Sequence, residues 1–305
     1  MMNAFPVIPV TPESVLESEQ LGTKDKFWFN TEDSYLGKSQ WLFKFPTPGT
    51  GQHWAEKIAC EIAKQMRIVT PRVELALFEG LPGSITENFT KDGYELFHGN
   101  QILAGFEPGY VADQRWSQKD HTIGRIFEAI GDTFEDQEGA KKSVDQMTGY
   151  LVLDALICNV DRHHENWGIL RKSTPDGRRG RLAPSFDHAS SMGRELRDTG
   201  SKNNRERYLR ELGVAKYIER GHGPIFVDGT GRHGPSPLRL VQRCLEIDGL
   251  ASHFKRGLEK LSYLREGSFQ TIIDRVPEGW MSPLAREFTH SLLLESFAQL
   301  KNLTS

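Results

Sequence analysis

Apolar positions change their period along this chain, and the changes mark its organisation. Up to about residue 90 they fall in short runs between turn residues, which favours strands. Residues 27–29, 40–45 (Q-W-L-F-K-F), 73–78 and 84–89 (S-I-T-E-N-F) read this way, with Gly80, Pro82 and Gly83 as the turn before the last. One helix interrupts them. Over 53–67, Trp54, Ile58, Ala59, Ile62, Ala63 and Met66 recur at helical spacing. Beyond residue 90 the period becomes mainly helical. A piece at 124–130 precedes a central helix over 143–158, with Val144, Met147, Leu151, Ala155 and Cys158 on one face. Ser143 and Gln146 would form its capping box. A hairpin follows, with strands at 167–170 and 182–186 around a Gly-, Pro-, Asp- and Arg-rich turn at 172–180. A long irregular loop spans 221–237. Ser236 and Pro237 then open a helix to Leu245, and amphipathic runs such as 288–300 complete a helical end. The first residues carry three prolines and a Glu/Ser run, which reads as an extended arm with a short helix over 12–20.

The pattern predicts an α+β chain of two lobes. Residues 1–20 form the arm, 21–90 a small β-rich lobe, and 91–305 a larger, mainly helical lobe. The apolar content of 37% supports a core, and a net charge of −3 gives no bulk reason for direct nucleic-acid binding. Cys60, Cys158 and Cys244 are far apart, which suits reduced thiols and a cytoplasmic setting. No basic, apolar leader opens the sequence, and no run of about 18 apolar residues predicts a membrane span.

Candidate chemistry concentrates between residues 159 and 187. The segment N-V-D-R-H-H-E-N places Asp161 and Asn166 in the loop after the central helix, and S-F-D places Asp187 at the end of the hairpin. A carboxylate that orients a hydroxyl, followed five residues on by an amide and later by a second carboxylate, suits Mg²⁺-assisted phosphoryl transfer. Upstream pieces extend the pattern. Lys44, inside an apolar strand, needs a partner if buried, and the 53–67 helix offers Glu56, or less favourably Glu61. Gly22, Thr23, Lys24 and Lys26 in L-G-T-K-D-K would lie near phosphates. Backbone groups around Glu87 and Phe89 would meet an adenine edge. The polar, basic segment 188–210, with Ser190 and Ser191, takes the place of an activation or substrate loop. His163 and His164 complete no metal-hydrolase pattern, and Arg162 and His163 read as supports of the loop.

Five segments together resemble the HipA family of bacterial serine/threonine kinases, most closely its compact CtkA-like members. They are G-T-K-D-K-F-W-F at 22–29, W-L-F-K-F-P at 41–46, W-A-E-K-I-A-C-E-I-A-K at 54–64, D-A-L-I-C-N-V-D-R-H-H-E-N-W-G-I-L at 154–170 and L-A-P-S-F-D-H-A-S-S at 182–191. The resemblance implies a two-lobed protein-kinase-like fold, with ATP and Mg²⁺ as cofactors. It implies Asp161 as catalytic carboxylate, Asn166 and Asp187 as metal ligands, and Lys44 on the ATP phosphates under the 22–26 loop. The family's hinge falls at Glu87 and Phe89. Family substrates are proteins, aminoacyl-tRNA synthetases among them, and many members are toxins paired with an antitoxin. Where the family carries an autophosphorylated loop serine this chain has Leu21, leaving Ser18, Ser190, Ser191 or no autophosphorylation site as alternatives. D-R-H-x-x-N is also similar to phosphoinositide kinases, so a lipid or small-molecule acceptor stands as the alternative, beside a non-catalytic nucleotide-binding module.

Overall fold

Two long strands, β3 (Lys26–Asp33) and β4 (Gly37–Lys44), pair in register from Lys26 opposite Lys44 to Asp33 opposite Gly37. They belong to a sheet completed by β1 (Val7–Val10), β2 (Val15–Ser18), β5 (Val73–Phe78) and β6 (Leu81–Glu87), in the order β1-β5-β6-β4-β3-β2. The computed structural model describes residues 3–18, 26–134, 136–175 and 177–304. Leu21, Gly22, Thr23 and Lys24 of the expected phosphate loop therefore lie outside the described residues. Alternation gives the sheet two apolar faces. Phe27, Phe29, Trp41, Phe43 and Ile85 form one cluster, in which the Phe27 and Phe43 rings stack at 5.0 Å. The opposite face receives helix α1 (Gln52–Gln65).

The expected amino-terminal arm differs from what the structure shows. Residues 7–10 pair in parallel with β5, and 15–18 pair with β3, leaving a single 3₁₀ turn at Pro12–Ser14 where a helix was expected. Proline at position 9 is compatible with a strand here because β1 is an edge. Phe5 is buried, and its N–H donates to Arg275 O. The turn between β5 and β6 is Glu79-Gly80, not the later Gly80–Gly83 stretch. Both residues have positive φ (49° and 78°), as a tight two-residue hairpin of the primed type requires.

The larger, helical part is built on helix α4 (Gln137–Ile157), preceded by β7 (Glu95–His98), α2 (Gly99–Phe106) and α3 (Ile123–Asp132). Helix α4 starts two turns before the expected Ser143, because Asp136 caps it by accepting the Gly139 N–H. Its early turns are polar and exposed and carry no apolar signal, while Ser143 lies buried inside the helix. From there to Ile157 the helix is buried on nearly every side, which identifies a central core helix. Hairpin β8 (Gly168–Thr174) and β9 (Gly177–Leu182) runs through the expected turn at 172–180, pairing out to Thr174 opposite Gly177, and β9 ends at Leu182 where a strand over 182–186 was expected; β7 joins the free edge of β8. After a short helix α5 (Arg205–Arg207), helices α6 (Val214–Arg220), α7 (Pro237–Leu245), α8 (Ala251–Glu259), α9 (Glu266–Ile273) and α10 (Pro283–Asn302) close around α4. The apolar face of α1 and the whole of this bundle share one continuous core. The three cysteines are free and buried. No helix among the described residues is long and apolar enough to cross a membrane.

Candidate active site

The apolar run L-V-L-D-A-L-I at the end of α4 carries one acid, Asp154, and it is 1% exposed. A charge there needs partners. It accepts hydrogen bonds from Asn159 Nδ2, Arg162 Nε and Arg162 Nη2, each at 2.8 Å. Cys158 leaves the helix in the left-handed region (φ 54°), turning the chain into the 159–166 loop. Arg162 is equally buried. Its Nη1 donates to Asn166 O (2.7 Å) and Phe186 O (3.1 Å), and its Nη2 to Ser185 Oγ (3.1 Å). One guanidinium thus joins the helix end, the loop and the segment after β9. Burial alone would lower its pKa, but the Asp154 carboxylate outweighs this and raises it.

This frame brings three of the sequence-predicted residues together. Asn166 Nδ2 donates to Asp161 O at 2.7 Å, which turns the amide oxygen of Asn166 away from that carbonyl. Asp187 has φ 57°, a left-handed conformation that Asp tolerates better than most residues. Its Oδ1 lies 3.4 Å from Lys44 Nζ, so the last residue of β4 reaches across to the helical part. Asp161 Oδ2 accepts the Ser190 hydroxyl at 3.1 Å, and Ser190 Oγ accepts from Arg194 Nη2 at 3.2 Å. Ser190 is therefore beside the carboxylate, while Ser191 is turned to His188 O.

The two candidate glutamates separate clearly. Glu56 is 1% exposed and accepts the His188 N–H at 3.1 Å. Burial raises its pKa, but the Lys44 charge and the hydrogen bond with His188 prevail and lower it. Glu61 instead binds Lys57 (2.9 Å) and Lys64 (2.8 Å) on its own helix. His188 Nε2 meets Ser185 Oγ at 2.7 Å, which closes a chain from α1 through His188 and Ser185 to Arg162. Lys26 stands opposite Lys44 on the neighbouring strand. Glu87 ends β6 and pairs with Lys91, and Phe89 stacks on Phe186 at 5.4 Å, beside Asp187.

Sequence reasoning missed Asp154, Ser185 and His188 as members of this network. Only Asp154 had a visible signal, as the lone charge in an apolar run. His163 lies 3.8 Å from Asp161 Oδ1 and packs on Trp116. His164 binds Tyr110 Oη, and His121 lies between Pro224 O and Trp167 Nε1. No group of three or more His, Cys, Asp or Glu side chains among the described residues is arranged to hold a metal. The donor set that remains, Asn166 Oδ1 and the Asp187 carboxylate, fits Mg²⁺, which takes few protein oxygens and completes its shell with phosphates and water.

The buried histidines make stability pH-dependent. Burial lowers His121 to about 3, and His53 and His163 to about 4, from an ordinary 6.5. The unfolded chain therefore takes up protons that the folded chain refuses. Stability is expected to be level above about pH 6.5 and to fall as the pH drops towards 4, by up to about 1.4 kcal/mol per histidine per pH unit. Melting temperatures across this range test it, and a profile flat down to about pH 5 would contradict the neutral burial of these rings.

Comparison with known proteins adds a family to this geometry. The chain folds like the Helicobacter pylori proinflammatory kinase CtkA, with a TM-score of 0.75 at 19% identity over 98% of this chain and 97% of that one. It also folds like Shewanella oneidensis HipA, solved with HipB and operator DNA, with a TM-score of 0.56 at 14% identity over 95% of this chain and 65% of HipA. At these identities the likeness speaks for the fold, which is the two-lobed kinase-like one. No curated protein sequence matches. A family model described as the HipA-like C-terminal domain matches residues 20–222, which run from the segment before β3 through the site to the end of α6. With two thirds of its length covered, the chain belongs to the HipA-like C-terminal domain family.

Proposed function

We propose that this chain is an ATP- and Mg²⁺-dependent serine/threonine protein kinase. The observation that carries the reading is the approach of Lys44 to Asp187, with Glu56 buried behind them, next to a loop that presents Asp161 and Asn166. In this reading Asp161 orients the substrate hydroxyl and receives its proton as the oxygen attacks the γ-phosphorus, while the bond to the β–γ bridging oxygen breaks and ADP leaves. Lys44 stabilises charge on the phosphates, and Glu56 sets the field in which Lys44 works. Asn166 and Asp187 would hold the Mg²⁺, which supplies charge neutralisation to the phosphate oxygens. Arg162 and Asp154 keep these groups in place, so catalysis rests on positioning and fixed charge. The loop at Gly22, Thr23, Lys24 and Lys26 would cover the phosphates, and Glu87 and Phe89 would border the base. Family membership supports a protein acceptor, with an aminoacyl-tRNA synthetase as a candidate class, in the cytoplasm. The HipB complex of Shewanella HipA supports an antitoxin partner and a toxin role for this chain.

The test is to incubate purified chain, Mg²⁺ and γ-labelled ATP with a cell lysate, beside Asp161→Asn. Label is expected on the chain itself or on a discrete lysate protein, reduced about 10²-fold or more in the variant. Bound ATP without transfer to protein in either sample would reject the protein-kinase reading and favour the nucleotide-binding module or a lipid acceptor.

A further inference from the structure

Helix α1 begins in the protein interior with no side-chain cap. Gly51, at the N-cap position, has no acceptor to offer, and a Cβ there would lie 2.0 Å from the Trp54 ring. The sequence therefore cannot place Ser, Thr or Asp at this position. The Gln52 side chain is turned to the Thr47 N–H (2.7 Å). Gln52, His53 and Trp54 are all buried, so the donors of the first turn require an acceptor from elsewhere.

Residues 49–51, His53 and Trp54 line a solvent-open cavity of about 370 Å³, bordered also by Arg197, Asp198, Arg205, Trp280 and Ser282. Two of its side chains are more than nine-tenths buried and incompletely bonded. His53 is 8% exposed, and its Nδ1 has no hydrogen-bond partner. Arg205 is 7% exposed. It donates to Asp198 and to Gly193 O, while its Nε is without a partner. The charges around the cavity are two guanidinium groups and one carboxylate. Asp198 Oδ1 is already engaged by Arg205 and by the Ser282 hydroxyl.

We propose that this cavity binds a phosphate group. An uncapped 14-residue helix start and two arginines, one of them with a buried, unpartnered Nε–H, provide N–H donors and positive potential for its oxygens. The cavity is larger than one phosphate, so it accommodates either the free ion or a phosphorylated side chain. None of its lining residues is among those assigned to phosphoryl transfer, and the proposal does not rest on the kinase reading. An occupant would tie the first turn of α1 to the segment around residue 197. That segment already meets α1 where Arg194 O accepts the Gly51 N–H at 2.8 Å. Glu56 lies one turn further along the same helix.

The experiment is calorimetric titration of the full chain with inorganic phosphate, with chloride at matched ionic strength as control, and with a phosphoserine peptide beside its unphosphorylated form. Saturable phosphate binding is expected, weakened about tenfold or more by Arg197→Ala. Arg197 is exposed, so its replacement leaves the fold intact, which circular dichroism would verify. A phosphopeptide that binds more tightly than the free ion identifies a protein-borne group, and equal affinity identifies the ion itself. Absence of saturable binding, or binding unchanged in Arg197→Ala, overturns the proposal.

Discussion

Asp187→Asn is expected to abolish phosphoryl transfer while leaving the protein folded. Asparagine, like aspartate, tolerates the left-handed conformation at φ 57°, so the backbone has no reason to move. The side chain is about one-third exposed, so little packing changes. What disappears is the negative charge facing Lys44 and the stronger of the two oxygen donors proposed for Mg²⁺. The turnover rate should fall by about 10³-fold or more. Initial rates with labelled ATP measure the loss, and near-unchanged melting excludes misfolding as its cause. Wild-type rates in this variant would remove Asp187 from the metal site.

Asp154→Ala is expected to act in the opposite way, through stability. The substitution leaves the Arg162 guanidinium buried without its counter-charge and removes three hydrogen bonds at once. Breaking such a pair from one side costs about 3–5 kcal/mol. Denaturant titration would show this as a lower midpoint at constant slope. A loss below about 1 kcal/mol would mean that Arg162 finds other partners or water. Because Arg162 also holds Asn166 O and Phe186 O, any folded fraction should have lost activity as well.

The contrast between these variants explains what could be read from the sequence. Asp161, Asn166 and Asp187 stood out because the proposed reaction calls for these types at this spacing, and the structure joins their segments through Arg162 and the Asn166–Asp161 hydrogen bond. Lys44 and Glu56 were legible because a charge among apolar residues is costly and asks for a partner. The strands and α1 were visible as apolar periods. The early turns of α4 and the outer half of the β8–β9 hairpin were not, because their residues face water and carry no period. Strand β1 was hidden by its proline, tolerated only because the strand is an edge, which depends on the whole sheet. Ser185 and His188 escaped notice for a related reason: their hydrogen bonds join segments whose proximity arises only on folding.

The continuous core shared by α1 and the bundle constrains how the molecule can move. A helix in a separately packed lobe is a lever that can swing while its surroundings stay closed. Here α1 buries Trp54, Ile58, Ile62 and Met66 in the same apolar mass that surrounds α4. Swinging Glu56 away from His188 would open that mass to water, so the on/off rotation of this helix is not a low-energy coordinate of the fold. The strands β2 and β3 are farthest from α1 in the sheet order, and Phe27 and Phe29 of β3 pack in the smaller aromatic cluster instead. Opening and closing over a nucleotide would then be a flexing of that outer flap against a fixed floor.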